Sequence, residues 1–441
     1  MHKMIANVVK LHVILSGMSE PVSAFGIFSN RSFRNYILGR LFTTLAIQMQ
    51  MTTIGLEIYY EYLQDYSAER SAYVLGQLGL YEAIPFIITS FISGYLADKF
   101  NRKYIILLSC LAITGCSALL YSISTHRFAF FEGLGYHAFF LVTVLVGIVR
   151  SFNASSMMPF MAELVDRSLY TSSATWNSTV WHVSSISGPV LAALLYGYTR
   201  SAELIYGING ALFLLGMLSF AIIKYKRTAV VQVKEGIIKS LRAGVDFVFK
   251  QKLMLSAISL DLFAVLFGGA VAILPAFNDK ILHASAEQFG LLRTAPAIGA
   301  LLMAVVLTLR PPAKRAGSAL LWAVIAFGVF TILFALCDNY WLAFGALLLS
   351  GAADNISVVV RQSVMQLVTP HEMRGRVSAV NSVFIGSSNE IGGYESGLAA
   401  RIMGLVPSII FGGGMTILTV LGINKLNPEL RKLDLNKVQN E

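Results

Sequence analysis

Charged residues are scarce in this 441-residue chain, at 13% of the total, whereas a soluble domain carries about 25%. A water-soluble enzyme of this length would need a far more polar surface, so that class is nearly excluded. Cysteine is also rare, and Cys110, Cys116 and Cys337 form neither a CxxC pair nor a disulfide framework. No GxxxxGK[ST] phosphate-binding loop occurs, which argues against ATP as the energy source. We therefore expect no catalytic residues, no cofactor and no metal.

Apolar residues are abundant, at 56%, and they are arranged in long runs. Because about 20 apolar residues cross a bilayer as a helix, and because helices satisfy their own backbone hydrogen bonds in lipid, we predict an all-α membrane protein with twelve transmembrane helices. The predicted spans are 35–58, 75–97, 104–123, 138–161, 171–197, 204–223, 253–276, 289–309, 317–337, 340–360, 377–399 and 403–422.

The formal net charge of +10 does not indicate nucleic-acid binding, because the basic residues lie between the apolar runs. With the N-terminus inside, 26 of the 34 Lys and Arg fall on the cytoplasmic side and five on the other, as the positive-inside rule requires. We predict a multi-pass protein of the plasma membrane or bacterial inner membrane with both termini cytoplasmic. Its tails would be 1–32 and 423–441, and its central loop 224–252 would contain an amphipathic helix over 233–252.

The chain also contains an internal repeat. Gln77, Gly79, Leu80 and Pro85 match Gln288, Gly290, Leu291 and Pro296 at a constant offset of 211, and a second match at an offset of 204 links 177–188 to 381–392. Both matches pair a span with the sixth span after it. We therefore predict two pseudo-symmetric six-helix bundles, 33–223 and 253–422, with the substrate site between them near the bilayer midplane.

The loop between the second and third spans carries a motif that identifies a family. Gly94, Asp98, Arg102 and Lys103 stand in Gly-Tyr-Leu-Ala-Asp-Lys-Phe-Asn-Arg-Lys, which resembles the loop 2–3 signature of the major facilitator superfamily. Asn101 replaces the second glycine of that signature. Since asparagine tolerates a left-handed backbone better than most residues, we expect the tight turn to be kept.

The resemblance implies the major facilitator fold and alternating access. It also implies that Asp98 meets the start of a helix in the second half, near 374–376, where the positive end of the helix would stabilise a carboxylate. Gly188 and Pro189 in the fifth span resemble an antiporter signature, although they could equally serve helix packing. More narrowly, the chain resembles the branch that contains the enterobactin exporter and related drug exporters. The residues that carry this narrower resemblance are Gly39–Leu41, Gln48–Gln50, Asp261–Phe263, Gly268–Val271, Leu274–Pro275, Gly290–Arg293, Ala295–Pro296 and Arg374–Val377.

Ionisable residues inside the spans are costly in lipid and are functional candidates by default. Asp261 and Asp354 are the coupling candidates, since a carboxyl in the cavity could bind and release a proton; the alternative is a structural pair with Arg293 or another span residue. Glu82 and Arg293 occupy equivalent repeat positions and could pair across the two halves or within each half. The full set of candidates for proton coupling or the substrate cavity is Asp261, Asp354, Glu390, Arg150, Arg40, Glu82 and Arg293.

These patterns predict a secondary active transporter that exports an amphipathic organic compound, either drug-like or a siderophore, and is driven by protons. An uptake symporter or a metal- or ion-coupled carrier is the alternative, and a polytopic membrane enzyme is a weaker one. The expected partners are a small-molecule substrate, protons and the lipid bilayer. We expect a monomer and no nucleic acid.

Overall fold

The computed structural model describes residues 26–127, 129–166, 169–225, 237–268, 272–309, 314–370 and 373–435. Most of the predicted tail 1–32 and residues 226–236 of the predicted central loop lie outside these ranges. The described residues form twelve long helices and no strand. We number these helices α1 to α12: Arg31–Glu57, Ala68–Lys99, Arg102–Ser124, His137–Leu164, Tyr170–Thr199, Ala202–Ala221, Lys252–Gly268, Ala286–Leu309, Ala316–Ala335, Tyr340–Val368, Arg374–Met403 and Leu405–Leu426.

Nine of these described helices are long and apolar enough to cross a bilayer, and α7 with the helix before it makes a tenth candidate. The remaining two, α1 and α11, have the length of a span but carry more polar residues. Both pack against other helices of the bundles. Each predicted span thus contains a helix, although α7 ends at Gly268, eight residues before the predicted end of the seventh span, and α10 continues eight residues beyond the predicted end at residue 360.

We call the end of the molecule that carries the central loop the central-loop face. Neighbouring helices of both halves contact each other there. The Asn30 side chain donates to the Leu164 carbonyl at 2.9 Å, and Lys103 Nζ donates to the Ala221 carbonyl at 2.7 Å. In the second half, Asn427 donates to the Lys252 carbonyl at 3.2 Å. We call the opposite side the far face.

A separate helix, Ile237–Lys250, precedes α7 on the central-loop face and meets it at a bend of 99°. Val248 is fully buried in a cluster with Met254 and Ile258 of α7 and Val377 and Val380 of α11. The helix therefore lies across the ends of two spans, where an amphipathic helix is expected at a membrane surface.

The two bundles meet along two seams, α2 against α11 and α5 against α8. A Cβ atom added at Gly76 would lie 2.7 Å from the Gly393 carbonyl oxygen and 3.1 Å from Gly397 Cα. A Cβ atom at Gly290 would lie 3.0 Å from the backbone of Ala193. Small residues thus allow the backbones of the two halves to touch, as they do in tightly packed membrane helices.

The hydrophobic core shows which end of the interface is closed. At the far face, one continuous cluster contains residues of both halves, including Tyr59, Phe139, Phe277, Phe289 and Phe334. Near the central-loop face, the described buried residues form separate clusters, one around Phe33 and Phe160 in the first half and two in the second. The bundles are therefore sealed together at the far face, whereas no shared core joins them at the central-loop face in the described part of the chain.

Polar contacts reinforce the far-face seal. Tyr59 donates a hydrogen bond to Asp279 Oδ2 at 2.8 Å, and Lys280 Nζ donates to the Gln64 carbonyl at 3.3 Å. The Arg401 guanidinium stacks 4.5 Å from the ring centroid of Tyr73. Each contact joins one half to the other.

Cysteines at positions 59 and 279 should report this seal. In a background that lacks the three native cysteines, Tyr59→Cys combined with Asp279→Cys should be joined by a short bismaleimide in membranes, because the Tyr59 hydroxyl reaches Asp279 across the interface and the reagent takes the place of the tyrosine ring. The crosslink is read as a mobility shift on denaturing gels. Each single variant serves as a control, and a double variant that stays uncrosslinked would contradict the closed far face.

Candidate functional site

The first charged pair inside the bundles joins α2 to α4. Arg150 forms an ion pair with Glu82, whose side chain is only 4% exposed. Both residues lie near the middle of their helices. Close approach of the helices is possible because position 147 is glycine, where an added Cβ would collide with the Glu82 backbone. Glu82 thus pairs within its own half, which decides between the two alternatives that the sequence left open.

The second half contributes another carboxyl to this pair. Glu390 lies near the middle of α11, and its Oε2 atom would be 2.7 Å from a Cβ atom added at Gly79 of α2. The charges of Glu390 and Arg40 both act on the Arg150 guanidinium. Arg150 therefore has carboxyl groups from both halves as neighbours, and we call Glu82, Arg150 and Glu390 the charge cluster.

A second buried ion pair lies entirely within the second half. Asp261 of α7 pairs with Arg361 of α10, and the two residues are 6% and 4% exposed. The predicted tenth span ended at residue 360 and so left Arg361 outside the membrane, which was wrong, because α10 continues to Val368. The sequence left Asp261 with either a proton-coupling role or a structural ion pair. The structure shows an ion pair, with Arg361 of α10.

Asp354 occupies a different environment. It lies in the middle of α10 and is half-buried, and no other described residue forms a hydrogen bond or ion pair with it. Arg293 is also half-buried, one turn before Pro296 on α8. Asp354 is thus separate from both ion pairs described above.

Arg40 lies ten residues into α1 and is half-buried. Its Nε atom is buried and has no hydrogen-bond partner among the described residues. The positive charge of Arg40 interacts electrostatically with Arg150 and with Tyr36. Arg40 therefore lies within electrostatic reach of the charge cluster.

The loop 2–3 signature builds a clamp on the central-loop face. Arg102 pairs with Glu163 at the end of α4, and the Tyr225 hydroxyl donates a hydrogen bond to the same carboxylate. Lys103 Nζ donates to the carbonyls of Ala221 and Ile223. These contacts tie the ends of α3, α4 and α6 together.

The tight turn of this loop is kept, since only Phe100 and Asn101 separate α2 from α3. The expected reason was wrong, because the φ of Asn101 is −70° and not left-handed. The Asn101 side chain instead caps α3 by accepting from the Lys103 amide, which is another stable role for asparagine. The side chains of Asp98 and of residues 374–376 lie outside the described part of the structure, so the proposed latch stays a prediction. Gly94 faces open space.

Gly188 and Pro189 lie in α5. A Cβ atom at Gly188 would be 2.5 Å from Gln48 Cβ and 3.1 Å from the Leu45 carbonyl oxygen of α1. The glycine therefore allows α1 and α5 to pack closely, and an antiport role for this motif stays a prediction.

Sequence reasoning missed two buried charged groups, Arg361 and Glu57, and the half-buried Glu163. Glu57 is 3% exposed at the far end of α1 and accepts a hydrogen bond from the Tyr206 hydroxyl at 2.6 Å. It fell within the last residues of the predicted first span, and Arg361 fell one residue after the predicted tenth span. A search that extended each span by one turn would have found Arg361.

Removing one partner of the Asp261–Arg361 pair should destabilise the protein strongly. Arg361→Ala leaves an uncompensated carboxylate in the bundle, and for such a change about 3–5 kcal/mol of stability is expected to be lost. Thermal unfolding in detergent, followed by tryptophan fluorescence, measures the loss. The neutral double variant Asp261→Asn/Arg361→Gln should recover most of it, and equal stability of Arg361→Ala and the unaltered protein would refute the pairing.

Comparison with known proteins agrees with this architecture. The sequence profile of the Major Facilitator Superfamily matches residues 36–393. The enterobactin exporter EntS of Escherichia coli O1:K1 / APEC is 25% identical over 335 residues, which are 75% of this chain and 78% of that protein.

Solved structures show the same fold at lower identity. The D-xylose–proton symporter superposes with a TM-score of 0.68 at 17% identity and covers 92% of this chain and 99% of its own. The nucleoside transporter NupG (D323A mutant) gives a TM-score of 0.62 at 15% identity and covers 90% and 100%. The expected fold class and the expectation of a transporter rather than an enzyme are confirmed. This chain belongs to the Major Facilitator Superfamily.

Proposed function

We propose that the protein is a proton-coupled exporter of an amphipathic organic compound, working by alternating access in a bacterial inner membrane. The observation that carries the coupling is the charge cluster, in which one guanidinium has carboxyl neighbours from both halves of the molecule. Export and substrate class are supported by the similarity to enterobactin exporters.

The orientation follows from the basic residues. The central-loop face carries most of the Lys and Arg outside the helices, so we assign it to the cytoplasm. The far face is then periplasmic, and the closed far-face seal makes this an inward-facing arrangement. Both described ends of the chain would lie in the cytoplasm.

The seams provide the moving surfaces. Opening the far face requires α11 to leave α2 and α8 to leave α5, which breaks the glycine–backbone contacts of the seams together with the shared far-face core and its polar contacts. Because each half keeps its own core near the central-loop face, the halves can rotate as rigid bodies. A site at the midplane then faces each side in turn.

Glu390 couples this movement to protons. Its carboxyl lies against α2 in the sealed state and would be carried away from Arg150 when the far face opens. Separated from the guanidinium, the carboxylate loses an opposite charge and binds a proton from the periplasm more readily. When the seal closes again, Arg150 favours the ionised form, and the proton leaves toward the cytoplasm.

The remaining polar groups suit a substrate that combines apolar surface with charged or hydrogen-bonding groups. Asp354 offers a carboxyl without a partner in the described chain, and Arg40 offers a guanidinium near the charge cluster. A metal-coupled carrier is less well supported, since the described residues contain no group of three or more His, Cys, Asp or Glu arranged to hold a metal.

Everted membrane vesicles test direction and coupling. When respiration makes the vesicle interior acidic, the protein should drive uptake of enterobactin or of the amphipathic dye ethidium, and a protonophore should abolish it. Transport that appears only in right-side-out vesicles would favour the uptake alternative, and protonophore-resistant transport would refute proton coupling.

Glu390→Gln should abolish gradient-driven accumulation of the probe, because a glutamine cannot carry a proton. Exchange of labelled for unlabelled probe without a gradient should continue, since the seams and the cavity are unchanged. Glu395→Gln, five residues later on the same helix, is the matched control and should keep gradient-driven transport. If Glu390→Gln accumulates probe as well as the unaltered protein does, the coupling role is wrong.

Reporter fusions test the orientation. Green fluorescent protein fused after residue 225 or residue 435 should fluoresce, because both positions are assigned to the cytoplasm. Alkaline phosphatase fused after residue 127 or residue 338 should be active, because these positions lie on the far face. The reverse pattern at either pair would contradict the assigned topology.

A further inference from the structure

The first bundle contains buried polar residues that the charge cluster does not use. Thr43, Gln50 and Glu57 of α1 are 2%, 1% and 3% exposed. They are seven residues apart, which is close to two helical turns, so they lie on one face of α1. That face packs against α6. A line of polar side chains along such an interface is unexpected, because lipid-embedded bundles normally bury apolar or small residues there.

Glu57 forms the outer level of this line. Its carboxylate accepts a hydrogen bond from the Tyr206 hydroxyl of α6 at 2.6 Å, and the Ser124 hydroxyl at the end of α3 lies beside it. The exposed Glu61 and the half-buried Glu203 are the charged groups that face it from the surface. Negative charge around the entrance raises the local concentration of protons.

Gln50, Ser117 and Asn209 form the middle level. Ser117 of α3 donates to Gln50 Oε1 at 2.5 Å. Thr43 contacts Gly216, and Asn209 stands seven residues earlier on the antiparallel α6, so it lies level with Gln50. Asn209 is fully buried, and neither its Nδ2 nor its Oδ1 nor the Gln50 Nε2 has a hydrogen-bond partner among the described residues.

The inner level is a small cavity of about 10 Å³, which is roughly the space that one water molecule needs. Its polar lining consists of Thr43, Ser109, Asn153 and Arg150. Arg150 is also the central residue of the charge cluster, so the cavity adjoins the pair with Glu82. From Glu57 to Thr43 the line spans fourteen residues of α1, or about 21 Å at 1.5 Å per residue.

We name these side chains (Glu57, Gln50, Ser117, Asn209 and Thr43) the polar file, and we propose that it conducts protons from the far face through the first bundle to Glu82 beside Arg150. The route is separate from the substrate cavity between the bundles. This inference rests on the proton coupling proposed above. The proton binds the Glu57 carboxylate, passes by exchange of O–H bonds through water and the Ser117 hydroxyl, and protonates the Glu82 carboxylate. Glu82 then passes it to Glu390 as the seam opens and returns to its pair with Arg150, and no other bond changes.

A purely structural polar network would explain the file less well. Hydrogen bonds that hold membrane helices together satisfy the groups that make them, whereas three polar atoms of the middle level have no partner in the described protein. Buried polar atoms of this kind are usually bridged by water, and bridging water is what proton transfer over this distance requires. The file therefore combines a carboxyl at its entrance, hydratable amides in its middle and an ion pair at its end.

Asn209→Leu separates the two interpretations. If Asn209 binds only water, replacing it with an apolar residue of similar size should leave thermal stability equal or higher, because the unpartnered amide is removed. If Asn209 instead holds helices together, its loss should lower the unfolding temperature. Proton-driven flux should fall in the same variant, because the hydrated path is blocked.

The decisive experiment uses the full chain in proteoliposomes with an entrapped pH-sensitive dye and ethidium as the probe. Glu57→Gln should slow gradient-driven flux roughly a hundredfold, the lower range for loss of a proton-transfer group, while ethidium exchange without a gradient stays unchanged. Glu57→Asp should restore part of the coupled flux. Glu132→Gln changes another far-face acid outside the file and should behave like the unaltered protein.

A second experiment tests the polar file without any transported substrate. Hydroxyl-radical labelling of the purified protein should mark Ile113 and Phe213, which line the inner cavity, and Asn209→Leu should suppress this labelling. The absence of labelling in the unaltered protein would refute the file.

The remaining outcomes separate the two proposals. If the unaltered protein moves ethidium without any response to a proton gradient, the proposed function fails. If transport by the unaltered protein is proton-driven and the Glu57→Gln variant transports equally well, only the polar file is refuted. An equal loss of exchange and coupled flux in Glu57→Gln would show a structural role and would also overturn the file.

Discussion

A charge inside a bilayer must have a partner or water, and this constraint organises the whole molecule. The chain has few charged residues for its length, yet it keeps several at mid-helix positions where lipid offers no hydrogen bond. Two guanidiniums form ion pairs with carboxylates, Arg150 with Glu82 and Arg361 with Asp261. Each pair fixes two helices of one bundle to each other. The bundles therefore behave as rigid units. Glu390 and Asp354 lie outside these two pairs, and we propose that they respond to protons or substrate.

The asymmetry between the two halves follows from the same constraint. In the first half the ion pair is adjacent to the seam with α11, so its guanidinium senses a carboxyl of the other bundle. In the second half Asp261 and Arg361 pair with each other inside the bundle. The two halves thus share the helix arrangement but not the pairing of their charges. The first bundle would handle protons, and the second would supply the group that moves.

Hydropathy was sufficient to predict the helices, because lipid imposes a length and a composition on every span. It could not predict which charges pair. Pairing depends on the rotation of each helix about its axis and on its depth relative to its neighbours. An average of hydropathy over a stretch of sequence contains neither quantity. Glu82 and Arg293 occupy equivalent positions, yet only the structure shows that Glu82 turns toward α4. Arg361 was placed outside the tenth span because hydropathy falls before α10 ends. The backbone conformation of Asn101 was predicted wrongly because a helix cap and a left-handed turn favour the same residue type.

The seam of Gly76, Gly393 and Gly397 has a practical consequence. Since the two backbones meet there without side chains between them, even a methyl group at one of these positions acts as a spacer. Graded replacements by alanine, serine and valine would shift the time the molecule spends in each orientation without altering any charge. Such variants would give state-selected samples for cryo-microscopy, and they would allow gate kinetics to be varied independently of ion binding.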